Sequence, residues 1–270
     1  MITRRKIVIG MAGLSFSISA ASLAAAFPAL AQEREGEGEQ EPKQETAMAD
    51  RIPTGTGDLV IHPVEHASLV LEWDGKALYV DPVGGAERYA GLPAPSAILI
   101  THGHGDHFDV PTLEAIAGSA PLLVSEEVRG RLPDPLKANA TALANGESGS
   151  VLDIPVRAIA AHNLTAERMR YHPVGVGNGY VLTLGDVLVY IAGDTEPTDD
   201  MLGLTDIDVA FLPMNLPFTM TPEQAAEAIG IFRPRIVYPY HYGDSDLSGL
   251  EAAAGENIEI RLRDWYPGAE

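Results

Sequence analysis

The chain has no cysteine among its 270 residues, and this absence excludes several kinds of chemistry at once. Disulfide scaffolds, zinc–thiolate centres, thiol nucleophiles and a lipid-modified N-terminal cysteine are all ruled out. Any transition-metal chemistry must therefore use His, Asp and Glu. Basic residues are also scarce: 18 Lys and Arg stand against 38 Asp and Glu, a formal net charge of −20. A nucleic-acid partner needs clustered Lys and Arg for its phosphates, and peripheral docking on anionic lipid needs the same. The composition argues against both. It reads instead as a soluble, self-repelling surface. No short-period repeat is present, which removes solenoids and propellers. What remains is sufficient for a packed core, because 46% of the residues are apolar and 21% charged, the proportions of a globular chain.

A long apolar run occurs at the N-terminus. Met1-Ile2-Thr3-Arg4-Arg5-Lys6 is basic, and residues 7–27 are apolar, diluted by Gly10, Gly13 and several serines. Ala29-Leu30-Ala31 then places small residues where a signal peptidase reads them, so residues 1–31 are expected to be a signal peptide cleaved before Gln32. Arg4-Arg5 resembles a twin-arginine signal, with general secretion as the open alternative. An uncleaved anchor is the other reading, since the run is long enough to span a bilayer. The expected product is exported, periplasmic or secreted, with no stable membrane association after cleavage. Residues 32–50 are dominated by Glu, Gly, Gln and Pro. Such a segment buries too little surface to offset its ordering entropy, and reads as an acidic, disordered spacer before a domain over 51–270.

Beyond it, short apolar runs alternate with turn signals. Strands are expected over 58–73, 76–80, 97–101, 122–125, 151–160, 180–191, 207–212 and 235–240, with hairpin signals at Asp74-Gly75 and Gly185-Asp186. Helices are expected over 111–117, 126–132, 196–202, 222–232 and 246–254, two of them opening on a proline behind a cap, at Asp109-Val110-Pro111 and Thr221-Pro222. Strands lead and helices follow in each half. That order predicts an α+β fold of two mixed β-sheets packed face to face with helices outside.

The chemistry concentrates in Thr101-His102-Gly103-His104-Gly105-Asp106-His107, directly after the apolar strand at 97–100. Four potential ligands fall within six residues, and the two glycines permit the tight backbone that turns them toward one point. Imidazoles beside a hard carboxylate suit a divalent ion in hydrolytic work.

This loop resembles the metal-binding motif of the metallo-β-lactamase-fold hydrolases. Tyr190-Ile191-Ala192-Gly193-Asp194-Thr195 resembles the strand that delivers a carboxylate shared by two metals, and Tyr238-Pro239-Tyr240-His241-Tyr242-Gly243 the last strand with its final histidine. His66-Ala67-Ser68 and Val80-Asp81-Pro82 resemble the opening hairpin of the lactonase-like branch, which also includes a phospholipase D acting on N-acyl phosphatidylethanolamine. The matching segments span residues 59–246. The resemblance implies a four-layer αββα sandwich with two divalent metal ions, zinc first and manganese or iron as alternatives. It places His102 and His104 on the first metal, Asp106, His107 and His241 on the second, and Asp194 between them. The third histidine of the first metal stays open. Relatives carry Tyr where His162 stands, which favours His172, whereas strand-end geometry favours His162. The one not used becomes a supporting or substrate-facing group. His66, Asn215 and Tyr240 are expected to face substrate or support the ligands, and His62 reads as an ordinary hydrogen-bonded strand residue.

Two such ions about 3.5–4 Å apart hold and acidify a bridging water, with Asp106 able to take or return a proton. The expected activity is hydrolysis of a small ester, lactone or phosphodiester. His104 stands where flavodiiron oxidoreductases of this fold carry Glu, and one major group of true β-lactamases needs a Cys this chain lacks. The alternatives are a non-catalytic metal- or partner-binding module and an iron-dependent redox enzyme.

Overall fold

A computed structural model describes residues 49–267 except residue 256. The expected signal peptide at 1–31 and nearly all of the spacer lie outside the described residues. Asp50, placed by the sequence reading at the end of the spacer, opens the first strand instead. Its carboxylate accepts hydrogen bonds from Tyr238 and Arg263, a tertiary anchor that local composition does not show.

Alternation of hydrophobic residues builds two seven-stranded sheets in which the chain runs across each in sequence order. In the first, β1 (Asp50–Thr54), β2 (Gly57–Glu65), β3 (Ser68–Trp73) and β4 (Lys76–Val80) are antiparallel, while β5 (Ala97–Ile100), β6 (Leu122–Val124) and β7 (Ala140–Ala142) continue in parallel. The second repeats the scheme: β8 (Ser148–Val151), β9 (Ile154–Ala161), β10 (Gly177–Leu184) and β11 (Val187–Ile191) antiparallel, then β12 (Val209–Pro213), β13 (Ile236–Tyr240) and β14 (Glu259–Ile260) parallel. Asp74 and Gly75 both take positive φ (+49° and +70°), the requirement of a tight two-residue hairpin.

The strand expected over 58–73 is broken. His66 adopts a left-handed φ of +52° between β2 and β3. Its N–H donates to the Trp265 carbonyl (2.7 Å) and its carbonyl accepts from the His241 N–H (2.9 Å), so its backbone bonds leave the ladder.

The helices lie on the outer faces: α1 (Val110–Ile116), α2 (Glu126–Arg131) and α3 (Asp134–Lys137) on the first sheet, α4 (Asp199–Leu202), α5 (Pro222–Phe232) and α6 (Leu250–Ala254) on the second. Thr221 and Gln224 form a reciprocal capping box that starts α5, with Pro222 at its first position. The helix expected at 196–202 begins only at Asp199, because Thr198 is the cap and Glu196 is engaged elsewhere. The helix expected at 246–254 shortens to α6. Within β5, Ala97 and Leu99 face the second sheet while Ile98 and Ile100 face the helices, which is why the run is apolar throughout. Three apolar layers result, one between the sheets and one under each helical face. Among the described residues no helix is long and apolar enough to cross a membrane.

Candidate metal centre

The carboxyl ends of β2, β4, β5, β9, β11, β12 and β13 deliver His66, Asp81, the 102–107 loop, the 162–172 loop, Asp194, Asn215 and His241 respectively. Backbone strain accumulates there. Asp81 and His241 share with His66 a left-handed conformation (both φ +45°), unusual for residues with a Cβ. Gly193, at φ +64°, precedes Asp194, and a Cβ on it would lie 2.9 Å from the Asn178 carbonyl.

Asp81 organises the histidine loop from below. It is fully buried, and accepts from the Thr101 N–H (2.7 Å), the Thr101 hydroxyl (2.6 Å) and His107 Nδ1 (2.7 Å). The Thr101 hydroxyl has spent its proton on Asp81, so it accepts from His102 Nδ1 at 3.0 Å. His172 Nδ1 donates to the Phe218 carbonyl at 3.0 Å. Three imidazoles thus commit their Nδ1 protons outward and turn Nε2 lone pairs inward.

Those inward atoms form two groups. In the first, His104 Nδ1 lies 3.0 Å from His102 Nε2 and 3.1 Å from His172 Nε2, and Asp194 Oδ2 lies 3.2 Å from His172 Nε2 and 3.9 Å from His102 Nε2. In the second, His107 Nε2 lies 3.3 Å from Asp194 Oδ1, and His241 Nε2 lies 3.2 Å from Asp194 Oδ2 and 3.4 Å from Asp106 Oδ2. His66 Nε2 approaches Asp106 Oδ2 at 3.3 Å. His107 Nε2, His241 Nε2 and Asp194 Oδ1 are buried without a hydrogen-bond partner. Buried orphaned acceptors are costly, and a cation satisfies them. Donors held at 2.0–2.1 Å in a tetrahedron sit about 3.3 Å apart, close to most of these separations, which run from 3.0 to 3.9 Å. The donor set fits two divalent ions.

The charges point the same way. Burial raises Asp194, but His241 and His107 hold its carboxyl well below the ordinary range. Burial likewise raises Asp106, and the neighbouring His241 and His66 imidazoles outweigh it, leaving it strongly lowered. Burial lowers His107, yet Asp194 and Asp81 push it well above its usual value. Burial also lowers His241, against which Asp194 and Asp106 push it up to about 9. His102, by contrast, is driven well below by burial and by His107. Two ionised carboxylates therefore attract positive charge into this nest, and a bound cation would replace the imidazolium protons.

His172, not His162, is brought to the first group. His162 is half-buried with Nδ1 beside the Asn163 carbonyl (3.2 Å), and belongs to neither cluster. Asn215 lines the cavity above the centre, as do His66, Tyr171 and Phe218. Tyr240 does not. Alternation along β13 points it between the sheets, where it packs 5.8 Å from the Trp265 ring. His62 pairs with Glu72 across β2 and β3 at 2.6 Å. Sequence reasoning gave no role to Thr101, Tyr266 or the Asp81–His107 bond, because each acts through a partner distant in the chain or only through its contact. It also missed Glu196, which accepts from the Leu164 and Thr165 N–H groups (2.5 Å each) and the Thr165 hydroxyl (2.7 Å), and pairs with Arg168 at 2.5 Å. This carboxylate ties down the loop that carries His172.

Comparison with known proteins gives the family. Residues 60–241 match the beta-lactamase superfamily domain. A UPF0173 metal-dependent hydrolase of Thermococcus kodakarensis is 30% identical over 218 residues, covering 76% of this chain and 95% of its own. One from Deinococcus radiodurans is 34% identical over 185 residues, covering 64% of this chain and 78% of its own. A crystal structure of a Parabacteroides distasonis protein named as a metal-dependent hydrolase superposes with a TM-score of 0.74 at 38% identity, over 80% of this chain and 98% of that one. The chain belongs to the UPF0173 metal-dependent hydrolases of the beta-lactamase superfamily and has the metallo-β-lactamase fold.

Proposed function

We propose that this hydrolase holds two divalent cations, zinc by preference, and cleaves a small neutral ester or lactone with an apolar substituent. On this reading His102, His104 and His172 hold one cation, Asp106, His107 and His241 the other, and Asp194 both. The observation that carries it is the Asp194 carboxylate, which has one oxygen at 3.3 Å from His107 and the other at 3.2 Å from both His172 and His241. When bound, such a pair of ions supplies Lewis acidity and lowers the pKa of a coordinated water toward about 7.

The protein's own residues supply the rest. Asp106 remains ionised and half-exposed at the mouth, where its second oxygen, without a partner among the described contacts, can orient water. The open cavity over the centre has a volume of ≈400 Å³, and His66, Gly105, Tyr171, Asn215 and Phe218 line it beside the proposed ligands. Tyr171 and Phe218 meet edge to face, ring centroids 5.1 Å apart. No Lys or Arg is among the described residues lining this cavity, whereas Arg131 and Arg170 line an adjoining one that shares His104, Tyr171 and His172. An aromatic wall with one amide favours an uncharged apolar group beside the scissile bond over the flanks of a phosphodiester.

Turnover of aryl esters, lactones and bis(p-nitrophenyl) phosphate, before and after dialysis against a chelator, tests the proposal. Ester or lactone cleavage lost on chelation and restored by zinc is expected. Activity that survives chelation, or is confined to the phosphodiester, contradicts it. We propose also that residues 1–31 direct export; periplasmic protein with an N-terminus at Gln32 is expected, whereas intact chain confined to the cytoplasm speaks against it.

A further inference from the structure

Asp106 follows Gly105 on the exposed side of the histidine loop, and its side chain is 48% accessible. A carboxylate so placed needs holding from outside the loop, and His66 meets it at 3.3 Å. The other nitrogen of His66, Nδ1, lies 3.0 Å from the Tyr266 hydroxyl. That hydroxyl already accepts the Gly243 N–H at 2.7 Å. A phenol has a single proton, and among the described contacts His66 Nδ1 is the acceptor available for it. Giving it to His66 Nδ1 leaves the imidazole proton on Nε2, which faces Asp106.

We propose that Tyr266 sets the tautomer of His66, so that His66 acts as an Nε2–H donor positioning Asp106 and not as a further metal ligand. His66 otherwise looks like a ligand, since one of its ring nitrogens falls within 4.8 Å of donor atoms on Asp106, His107 and His241. The chain from Gly243 through Tyr266 and His66 to Asp106 distinguishes the two roles. Its outer end is fixed firmly. Trp265 is fully buried against Phe211 and Tyr240, and its carbonyl holds the His66 N–H at 2.7 Å. His241 in turn donates its N–H to the His66 carbonyl at 2.9 Å. Tyr266 lies beyond the span 60–241 that matches the superfamily domain, so the C-terminal segment completes the site from outside that span.

The inference rests on the metal reading only in assigning Asp106 to the second cation. Two-bond ¹⁵N–¹H correlation spectra of histidine-labelled protein, metal-free and zinc-loaded, test it directly. The parent is expected to show His66 as the Nε2–H tautomer in both states. Tyr266→Phe, which keeps the ring, should shift His66 away from that tautomer. It should also weaken the second zinc about 10-fold or more, the usual cost of losing an outer-shell partner, with the first zinc unchanged. His66→Gln retains an N–H donor and should keep most of the second-site affinity, whereas His66→Ala should lose it. An Nδ1–H tautomer in the parent, a metal-ligated Nε2 in the zinc-loaded protein, or a tautomer unaltered by Tyr266→Phe overturns the proposal. A parent that binds no second zinc refutes the metal reading, while the metal-free spectrum still decides the tautomer.

Discussion

Asp81 gives both oxygens to hydrogen bonds that orient the histidine loop, and at 2.7 Å it receives the Nδ1 proton of His107. In Asp81→Asn one oxygen becomes an amide donor, which faces a Thr101 donor instead of accepting from it. The His107 ring also loses its charged partner, which raises ligand basicity in such triads. Affinity for the second cation should fall about 10–100-fold, measured by competition with a chromophoric chelator. Affinity equal to the parent's would mean that Asp81 does not orient His107. The same residue shows what could and could not be read from sequence. The run His102–His107 was legible because its ligands are local, and Asp194 and His241 because their flanking motifs resemble a known family. The His107–Asp81 bond spans 26 positions and the His66–Tyr266 bond 200. No local pattern encodes such pairings.

Among the elements, the 162–172 loop holds the one choice that sequence left open, and it is irregular, without a period that fixes which side chain points inward. Glu196 resolves it by pinning Leu164, Thr165 and Arg168, while Asn163 donates to the Phe218 carbonyl at 2.6 Å, so that His172 and not His162 turns toward Asp194. Glu196→Gln removes one partner of a buried ion pair, a loss of about 3 kcal/mol, or about 6–12 °C in Tm for a chain of this size. Calorimetry checks this. Burial raises the Glu196 carboxyl, but hydrogen bonds from Thr165 and Leu164 and the Arg168 charge outweigh it, so its folded pKa is lowered. Its stabilisation is therefore present above the unfolded Glu value of about 4.3 and lost as pH falls through the lower folded value. The Tm difference between parent and variant should be full at pH 7 and narrow below about pH 4; a constant difference would contradict the ion-pair account. The strands invisible in sequence have a related explanation. β1, β7, β8 and β14 are two to five residues long, lie toward the sheet edges and bury few side chains, so none shows a sustained alternation. The other strands carry sustained apolar runs or alternation and were legible.

For the whole molecule, the two sheets form a sandwich whose candidate ligand-bearing loops share one edge, and cations held between those loops would link metal occupancy to folding. A ligand present at 1,000 times its dissociation constant stabilises by about 4 kcal/mol. Stripping both cations should thus lower Tm by about 15 °C or more, reversibly on restoring zinc. An unchanged Tm after verified metal removal would separate the site from fold stability. The net charge of −20 adds long-range attraction for cations, screened by salt, so zinc association should slow as ionic strength rises.

The most direct measurement is the metal content per chain, by mass spectrometry of elements, in the parent and in Asp194→Ala. Because the oxygens of that one carboxylate reach both groups of imidazoles, the account predicts two divalent ions in the parent and the weakening or loss of both in the variant. A parent with one ion or none, or a variant that keeps two at parental affinity, would contradict it.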